Sequence, residues 1–526
     1  MKSPLEHYDR RKTKYHGFVR AFTVLLTFLL QVVFIVILTA ALQRQFFPLY
    51  LALELFSIIS VYGLVDDERR SKQFWIIVLL LMPGFGFILY YLWGSNHTNS
   101  RLQKKMRIAE ATMKAYSNEG DRIIQEFSLV HPNKVQISRY LKREGFPIYK
   151  NTSMKYYSMG ADMEEDFYND LKSAKKFIFL DYFIIYKGYW WDRILTILEE
   201  KAEQGVEVRI LVDDFGSIFL NVAELRERIN ARLSRKNLKK DSIKICKFAP
   251  VNKRIINLAF NYRDHQKITV IDGKIAYTGG VNLADEYIGK IERFGVWKDS
   301  AIRLQGDAVA AMTAIFLVLW QVGNNQEEEN IEAYLECKEK DHFDGFVQPF
   351  AGGPHRNPTN PPEIVYNFML NKARDYVYIT TPYLVLDQKL IDNITQAARS
   401  GVDVRVITPH IYDKWYVYQV NVANYGPLLK SGVKVYEYTP GFMHAKNIVA
   451  DDECAVCGSI NMDYRSLFIH YENGVFFSES QAVLDMKEDF LETLKDCHEI
   501  TYEEWSHRSA FHKAVQWVCR LTAPLL

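Results

Sequence analysis

The sequence predicts an α/β chain: two similar lobes with mixed, largely parallel sheets flanked by helices, preceded by N-terminal transmembrane helices. Three observations support this. One stretch occurs twice, HQKITVIDGKIAYTGGVN at 265–282 and HAKNIVADDECAVCGSIN at 444–461, with the same residue types at the same intervals. The segments upstream also match: KSAKKFIFLDYFII (172–185) with NKARDYVYITTPYLVL (371–386), and KAEQGVEVRILVDD (201–214) with QAARSGVDVRVITPH (396–410). Apolar residues, finally, are concentrated before residue 95.

In chain order, segment 1–20 is basic, with Lys2, Arg10, Arg11, Lys12, Lys14 and Arg20. Segment 21–42 then carries no charged residue, and a hydrocarbon core takes roughly 20 helical residues to cross. A cleaved leader would have a shorter apolar run and a small-residue cleavage site, so a retained anchor is expected. Two further spans are expected at 48–65, which contains Glu54, and at 74–93, which contains Pro83, Gly84 and Gly86. These complete a membrane domain at 21–95. An intramembrane carboxylate is costly unless paired or near an interface, whereas Pro and Gly are tolerated inside membrane helices. Arg69, Arg70 and Lys72 lie between the last two spans. Three full spans place the remainder on the outer face, and a dipping Glu54 segment places it inside; the sequence leaves both open.

Segment 96–135 reads as a polar, helical linker, with Lys104, Lys105 and Arg107 near either the membrane surface or solvent. The first lobe is expected at 136–325, a connector at 326–362 where the sequence turns from acidic to Gly- and Pro-rich, and the second lobe at 363–500. Runs such as VRILV and VRVIT alternating with helices indicate parallel strands covered on both faces. The apolar run 308–322 is short for a span and is expected as a buried helix. The basic run 226–240 fits either a headgroup-facing element or a solvated helix face. Segment 501–526 mixes Arg508, Lys513 and Arg520 with Trp505, Phe511, Trp517 and Val518, as an amphipathic helix would, on a membrane or on the second lobe.

Each repeated stretch reads as a hairpin. Alternate residues of a strand share a face, so His265 projects with Lys267 and His444 with Lys446. Two-residue turns at Asp272-Gly273 and Asp451-Asp452 would set Gly280 opposite His265, Ser459 opposite His444 and Cys457 opposite Lys446. Asn282 and Asn461 return near the strand starts, while Asp272 and Asp451 sit at the far ends in a structural or supporting role. The six cysteines show no disulfide framework, and Cys454 and Cys457 point to opposite faces of a strand, too divergent to share a metal.

A cation beside each imidazole disfavours a metal site. Ammonium and amide donors suit phosphate oxygens instead, and imidazole can attack phosphorus or pass a proton near neutral pH. Net charge of +2 says little about partners.

On these residues the chain resembles the phospholipase D superfamily, whose duplicated signature is H-x-K-x4-D-x6-G-[G/S]-x-N. The flanks NYRDHQKITVIDGKIAYTGGVNLADEYIG and YTPGFMHAKNIVADDECAVCGSINMDYRS look like bacterial cardiolipin synthases of the membrane-bound type, and the likeness runs from about Leu49 to the C-terminus. Gly280 stands where many superfamily members have Ser.

The resemblance implies phospholipase D-like lobes and transfer of a phosphatidyl group from one phosphatidylglycerol to another, giving cardiolipin and glycerol through a phosphohistidine. It implies His265 as nucleophile and His444 as acid and base, and completes the candidate catalytic set with Lys267, Lys446, Asp272 and Asp451. Lys267, Lys446, Asn282, Asn461, Ser459 and Gly280 would surround the phosphate. No metal, cofactor or nucleic acid is expected, and the location is the bacterial cell membrane. Alternatives are hydrolysis, transfer to another alcohol, and, from another class, a membrane-tethered nuclease or nucleic-acid binder, for which the run 226–240 is the main support.

Overall fold

In the computed structural model of the chain, the described residues are 43–64, 100–114, 120–235 apart from 219 and 221, 242–249, 262–335 apart from 329, 344–521 apart from 358, and scattered single positions. The expected spans 21–42 and 74–93 lie outside them, save for isolated positions. The expected span 48–65 corresponds to a helix, Phe47–Leu64, of 18 residues. At about 1.5 Å per residue it is about 27 Å long, below the roughly 30 Å of a hydrocarbon core. Among the described residues no helix is long and apolar enough to cross a membrane.

The stretch expected as a linker is helical at Ser100–Lys114 and Asp121–Val130. Met106, Ala109, Ile124 and Phe127 are buried, so these helices are seated on the lobes instead of crossing solvent.

Two sheets organise the rest. The first comprises β1 (Thr152–Tyr157), β2 (Phe177–Tyr182), β3 (Glu207–Asp213), β4 (Ile243–Phe248), β5 (Lys267–Ile271), β6 (Ile275–Gly279) and, after the short β7 (Val296–Lys298), β8 (Ala301–Gly306), in the order β1-β8-β6-β5-β2-β3-β4. The second comprises β9 (Phe346–Gly352), β10 (Tyr376–Thr380), β11 (Asp403–Pro409), β12 (Lys434–Tyr438), β14 (Asn447–Ala450), β15 (Cys454–Gly458), β16 (Glu472–Ser478) and β17 (Cys497–Ile500), in the order β17-β12-β11-β10-β14-β15-β16-β9. The inner order of one repeats in the other, so the duplication extends to the whole lobe.

Among the described residues of these two sheets, only β2-β3-β4 and β10-β11-β12 pair in parallel. The remaining pairings within both sheets are antiparallel, so "largely parallel" does not hold. Each signature contributes a hairpin, which is antiparallel by construction, and each hairpin is followed by a return strand. The stretch expected as a connector also contains β9. Its Pro349 is accommodated because β9 is an edge strand, where an absent N–H breaks no inner ladder.

The helix Val309–Asn324 is buried along most of its length. It joins the apolar side chains of β2, β5 and β8 to those of β9 and the second lobe in one continuous core. A further link is the parallel pair of β7 with β13 (Gly441–Met443), one strand from each lobe.

Candidate active site

The hairpins place the histidines, with a register one residue away from the expected one. Ile271 faces Ile275 and Ala450 faces Cys454, so each loop has three residues, 272–274 and 451–453. Asp272 and Asp451 adopt the left-handed region, with φ of 53° and 58°. Each carboxylate thereby turns back to the start of its lobe's first inner strand. Asp272 accepts from the Lys175, Lys176 and Phe177 amides at 2.7, 2.7 and 2.9 Å. Asp451 accepts from those of Arg374, Asp375 and Tyr376 at 3.0, 2.9 and 3.1 Å, and from Lys134 Nζ at 2.7 Å. Both aspartates thus bind the hairpin tip, at the end away from the histidines. The shift also moves Cys457 opposite Asn447 instead of Lys446, and removes the expected facing of Gly280 with His265 and of Ser459 with His444.

His265 and His444 are each held by a carboxylate from the other lobe. His265 Nδ1 lies 2.9 Å from Glu472, the first residue of β16. His444 Nδ1 lies 2.6 Å from Asp299, between β7 and β8. The backbone sets up the crossing: His265 N donates to Tyr471 O at 2.9 Å, and His444 N donates to Lys298 O at 2.7 Å. With Nδ1 engaged, each ring has Nε2 available for chemistry.

Lys267 and Lys446 are almost wholly buried, and each donates to the carbonyl of its own histidine. Burial pushes the Lys267 ammonium down to about 7 and that of Lys446 down to about 8. Both imidazoles are held well below the ordinary range, first by burial and then by both ammoniums. Since each ammonium acts on the imidazole of the other lobe as well as its own, the two pairs face one place. Burial likewise raises Asp299 to about 7, so near neutrality the His444–Asp299 pair can hold a proton.

The remaining expected site residues serve this frame. The Ser459 hydroxyl donates to Glu472. Gly280 occupies the matching place in the first lobe, and a Cβ there would come within 2.0 Å of Asp299 Oδ1. Asn282 also ties the loop after the hairpin: its Oδ1 accepts from Ile184 N at 3.0 Å and one Nδ2 hydrogen is donated to Tyr287 at 2.7 Å. Asn461 is buried, and its Oδ1 has no hydrogen-bond partner among the described residues.

Asp299, Glu472 and His470 were not anticipated. In both copies an acid followed by a small polar residue, Asp299-Ser300 or Glu472-Asn473, lies at the next strand beyond the signature, but at a different distance in each, so alignment of the copies conceals it. The His470 ring lies 5.5 Å from that of His265, with Nδ1 3.7 Å from Glu472. Burial pushes this imidazole down to about 3, so it is neutral. Trp297 takes the corresponding place beside His444, at 5.3 Å, and the halves are therefore chemically unequal. Ligand atoms of His265, His470 and Glu472 lie within 4.8 Å of one another. The charges of Lys267 and Lys446 at the same place oppose a cation there and favour an anion.

Duplicated α/β lobes that bring two histidine–lysine pairs together define a fold of the phospholipase D type. The family described as cardiolipin synthase, phospholipase D-like domain, matches residues 167–320 and 367–494, and one described as phospholipase D-nuclease N-terminal matches 52–95. The chain belongs to the cardiolipin synthase family of the phospholipase D superfamily, and so to the phosphatidyltransferases. It is 33% identical over 476 residues to a cardiolipin synthase of Halalkalibacterium halodurans, covering 89% of this chain and 92% of that one. An uncharacterized protein of Streptococcus mutans is 40% identical over 475 residues, covering 89% and 99%. Phosphatidylserine synthase of Haemophilus influenzae shares the fold, with a TM-score of 0.55 at 16% identity over 74% of this chain and 97% of that one.

Proposed function

We propose that the protein is a cardiolipin synthase that transfers a phosphatidyl group from one phosphatidylglycerol to another. The observation that carries this reading is the crossed arrangement: each imidazole is oriented by a carboxylate of the opposite lobe, and both lysines bear on both imidazoles. Neutral His265 attacks phosphorus through Nε2. The phosphorus–oxygen bond to glycerol breaks, and His444, supplied from its pair with Asp299, protonates the departing oxygen. His444 then takes the proton from a hydroxyl of the second phosphatidylglycerol, whose oxygen attacks phosphorus and displaces His265.

The incoming phosphodiester supplies the negative charge that offsets Lys267 and Lys446, which raises the basicity of His444 at the moment when it must hold a proton. The unequal neighbours support the assignment of roles, with His470 and Glu472 on the nucleophile side and Trp297 and Asp299 on the acid side. Lys267 and Lys446 cradle the phosphate with the amide of Asn461, while Ser459 and Gly280 set the carboxylates. The expected spans at 21–42, 48–65 and 74–93 would keep the lobes in the bacterial cell membrane, where acceptor lipid is concentrated.

The test is to supply purified full-length enzyme with labelled phosphatidylglycerol alone. Cardiolipin and free glycerol in equal amounts are expected; phosphatidic acid without cardiolipin would replace this reading with hydrolysis. A phosphatidyl group held on His265 through an acid-labile bond, captured by quenching the wild-type enzyme during turnover and absent from His265→Ala, is expected from the assigned order.

A further inference from the structure

The last helix, Ala510–Leu521, is docked on the helix Trp415–Leu429 of the second lobe, and a second side of it remains uncovered. On the docked side Gln516 Nε2 donates to Gln419 at 3.2 Å and Cys519 packs with Val417 and Val420, while just before the helix Arg508 Nη1 and Trp505 Nε1 donate to Val422 O at 3.3 and 2.7 Å. The two helices run antiparallel, so the C-terminal end of the last one lies beside the start of its neighbour.

Phe511, Ala514 and Val518, spaced by three and four residues, share the other side with Trp517. Phe511 is 74% exposed, Trp517 64% and Val518 54%. At the start of the neighbouring helix Tyr412, Trp415 and Tyr416 are also exposed. Lys513 and Arg520 border the apolar side, Lys414 stands among the aromatic residues, and the last helix contains no acidic residue.

This surface adjoins the active site. Lys414 donates to the Tyr383 hydroxyl at 2.6 Å, which donates to Asp413 at 2.6 Å, and the Lys414 charge acts on both His265 and His444. Tyr383 and Tyr464 pack against the apolar cluster that anchors the last helix.

We propose that Phe511, Trp517 and Val518, with Tyr412, Trp415 and Tyr416, form the face on which the catalytic lobes rest on an anionic phospholipid bilayer, delivering the phosphodiester to the histidines from the headgroup layer. The chemistry matches that partner: indole and phenol rings settle at headgroup depth, phenyl and isopropyl groups reach the acyl boundary, and bordering cations meet lipid phosphates. The proposal rests on the lipid substrate argued above.

The experiment compares full-length wild type with a Phe511→Ser/Trp517→Ser/Val518→Ser variant, each given dihexanoyl phosphatidylglycerol dissolved below its micelle concentration or long-chain phosphatidylglycerol in vesicles. The variant should keep turnover of the dissolved lipid within about twofold and lose about tenfold or more on vesicles. A Lys513→Gln/Arg520→Gln variant should lose much of the dependence of vesicle turnover on salt. Equal loss on both substrates would make the helix a scaffold and overturn the proposal. So would unchanged vesicle turnover, or an intact vesicle rate accompanied by a change in oligomeric state, which would assign the face to a second copy of the chain. Wild type inactive on both forms of the lipid would instead refute the proposed function itself.

Discussion

Two lysines buried with two histidines would, in the proposed phosphate site, be completed by an anion. Burial holds Lys267 near 7 and Lys446 near 8, and an ammonium persists only below its own value. Sulfate, which does not titrate in this range, should therefore bind the resting enzyme best below pH about 7 and progressively less well up to pH about 9. Isothermal titration across that range checks this, and a flat profile would remove the lysines from phosphate binding. Lys267→Ala and Lys446→Ala should each lower kcat/KM about 100-fold or more with unchanged circular dichroism. Gly280→Ser, harmless by analogy with Ser459, should cost about tenfold or more in kcat, because its Cβ would meet Asp299 and loosen that carboxylate from His444. A near-normal rate would show that the Asp299 position is dispensable.

At the scale of elements, the two hairpins are fixed at their tips and used at their bases. Asp272→Ala leaves three backbone amides unsatisfied and should destabilise the protein by about 2 kcal/mol. Asp451→Ala removes three such bonds and also deprives Lys134, 1% exposed, of its closest partner, so about 3 kcal/mol is expected. Denaturant titration in detergent should reproduce that order, while the rate per folded molecule changes little. A large loss of rate without loss of stability would return the aspartates to the chemistry. Each loop needs two successive left-handed residues, Asp272 with Gly273 and Asp451 with Asp452, a conformation that Gly and Asp tolerate better than most residues.

Across the whole molecule, the crossed carboxylates make neither lobe sufficient. Mixed His265→Asn and His444→Asn chains should remain inactive together, because each histidine is completed by the other lobe of its own chain. Recovered activity would show that lobes exchange between copies. The sequence by itself determined the duplication, the alternating α/β elements, the two histidine–lysine pairs and their suitability for phosphate, since each follows from local periodicity and from side-chain chemistry at short range. It left the connector strand Phe346–Gly352 hidden behind Pro and Gly, and it did not show the extra residue after each two-residue turn, Lys274 or Glu453, that shifts the register. Only the tertiary structure decided that Asp299 and Glu472 are exchanged between lobes, that Asn282 bonds to Ile184 and Tyr287, and that the last helix is docked on one side and open on another. Those outcomes depend on contacts between residues far apart in the chain, and a side chain's partner at such distances is set by packing, which no local pattern encodes.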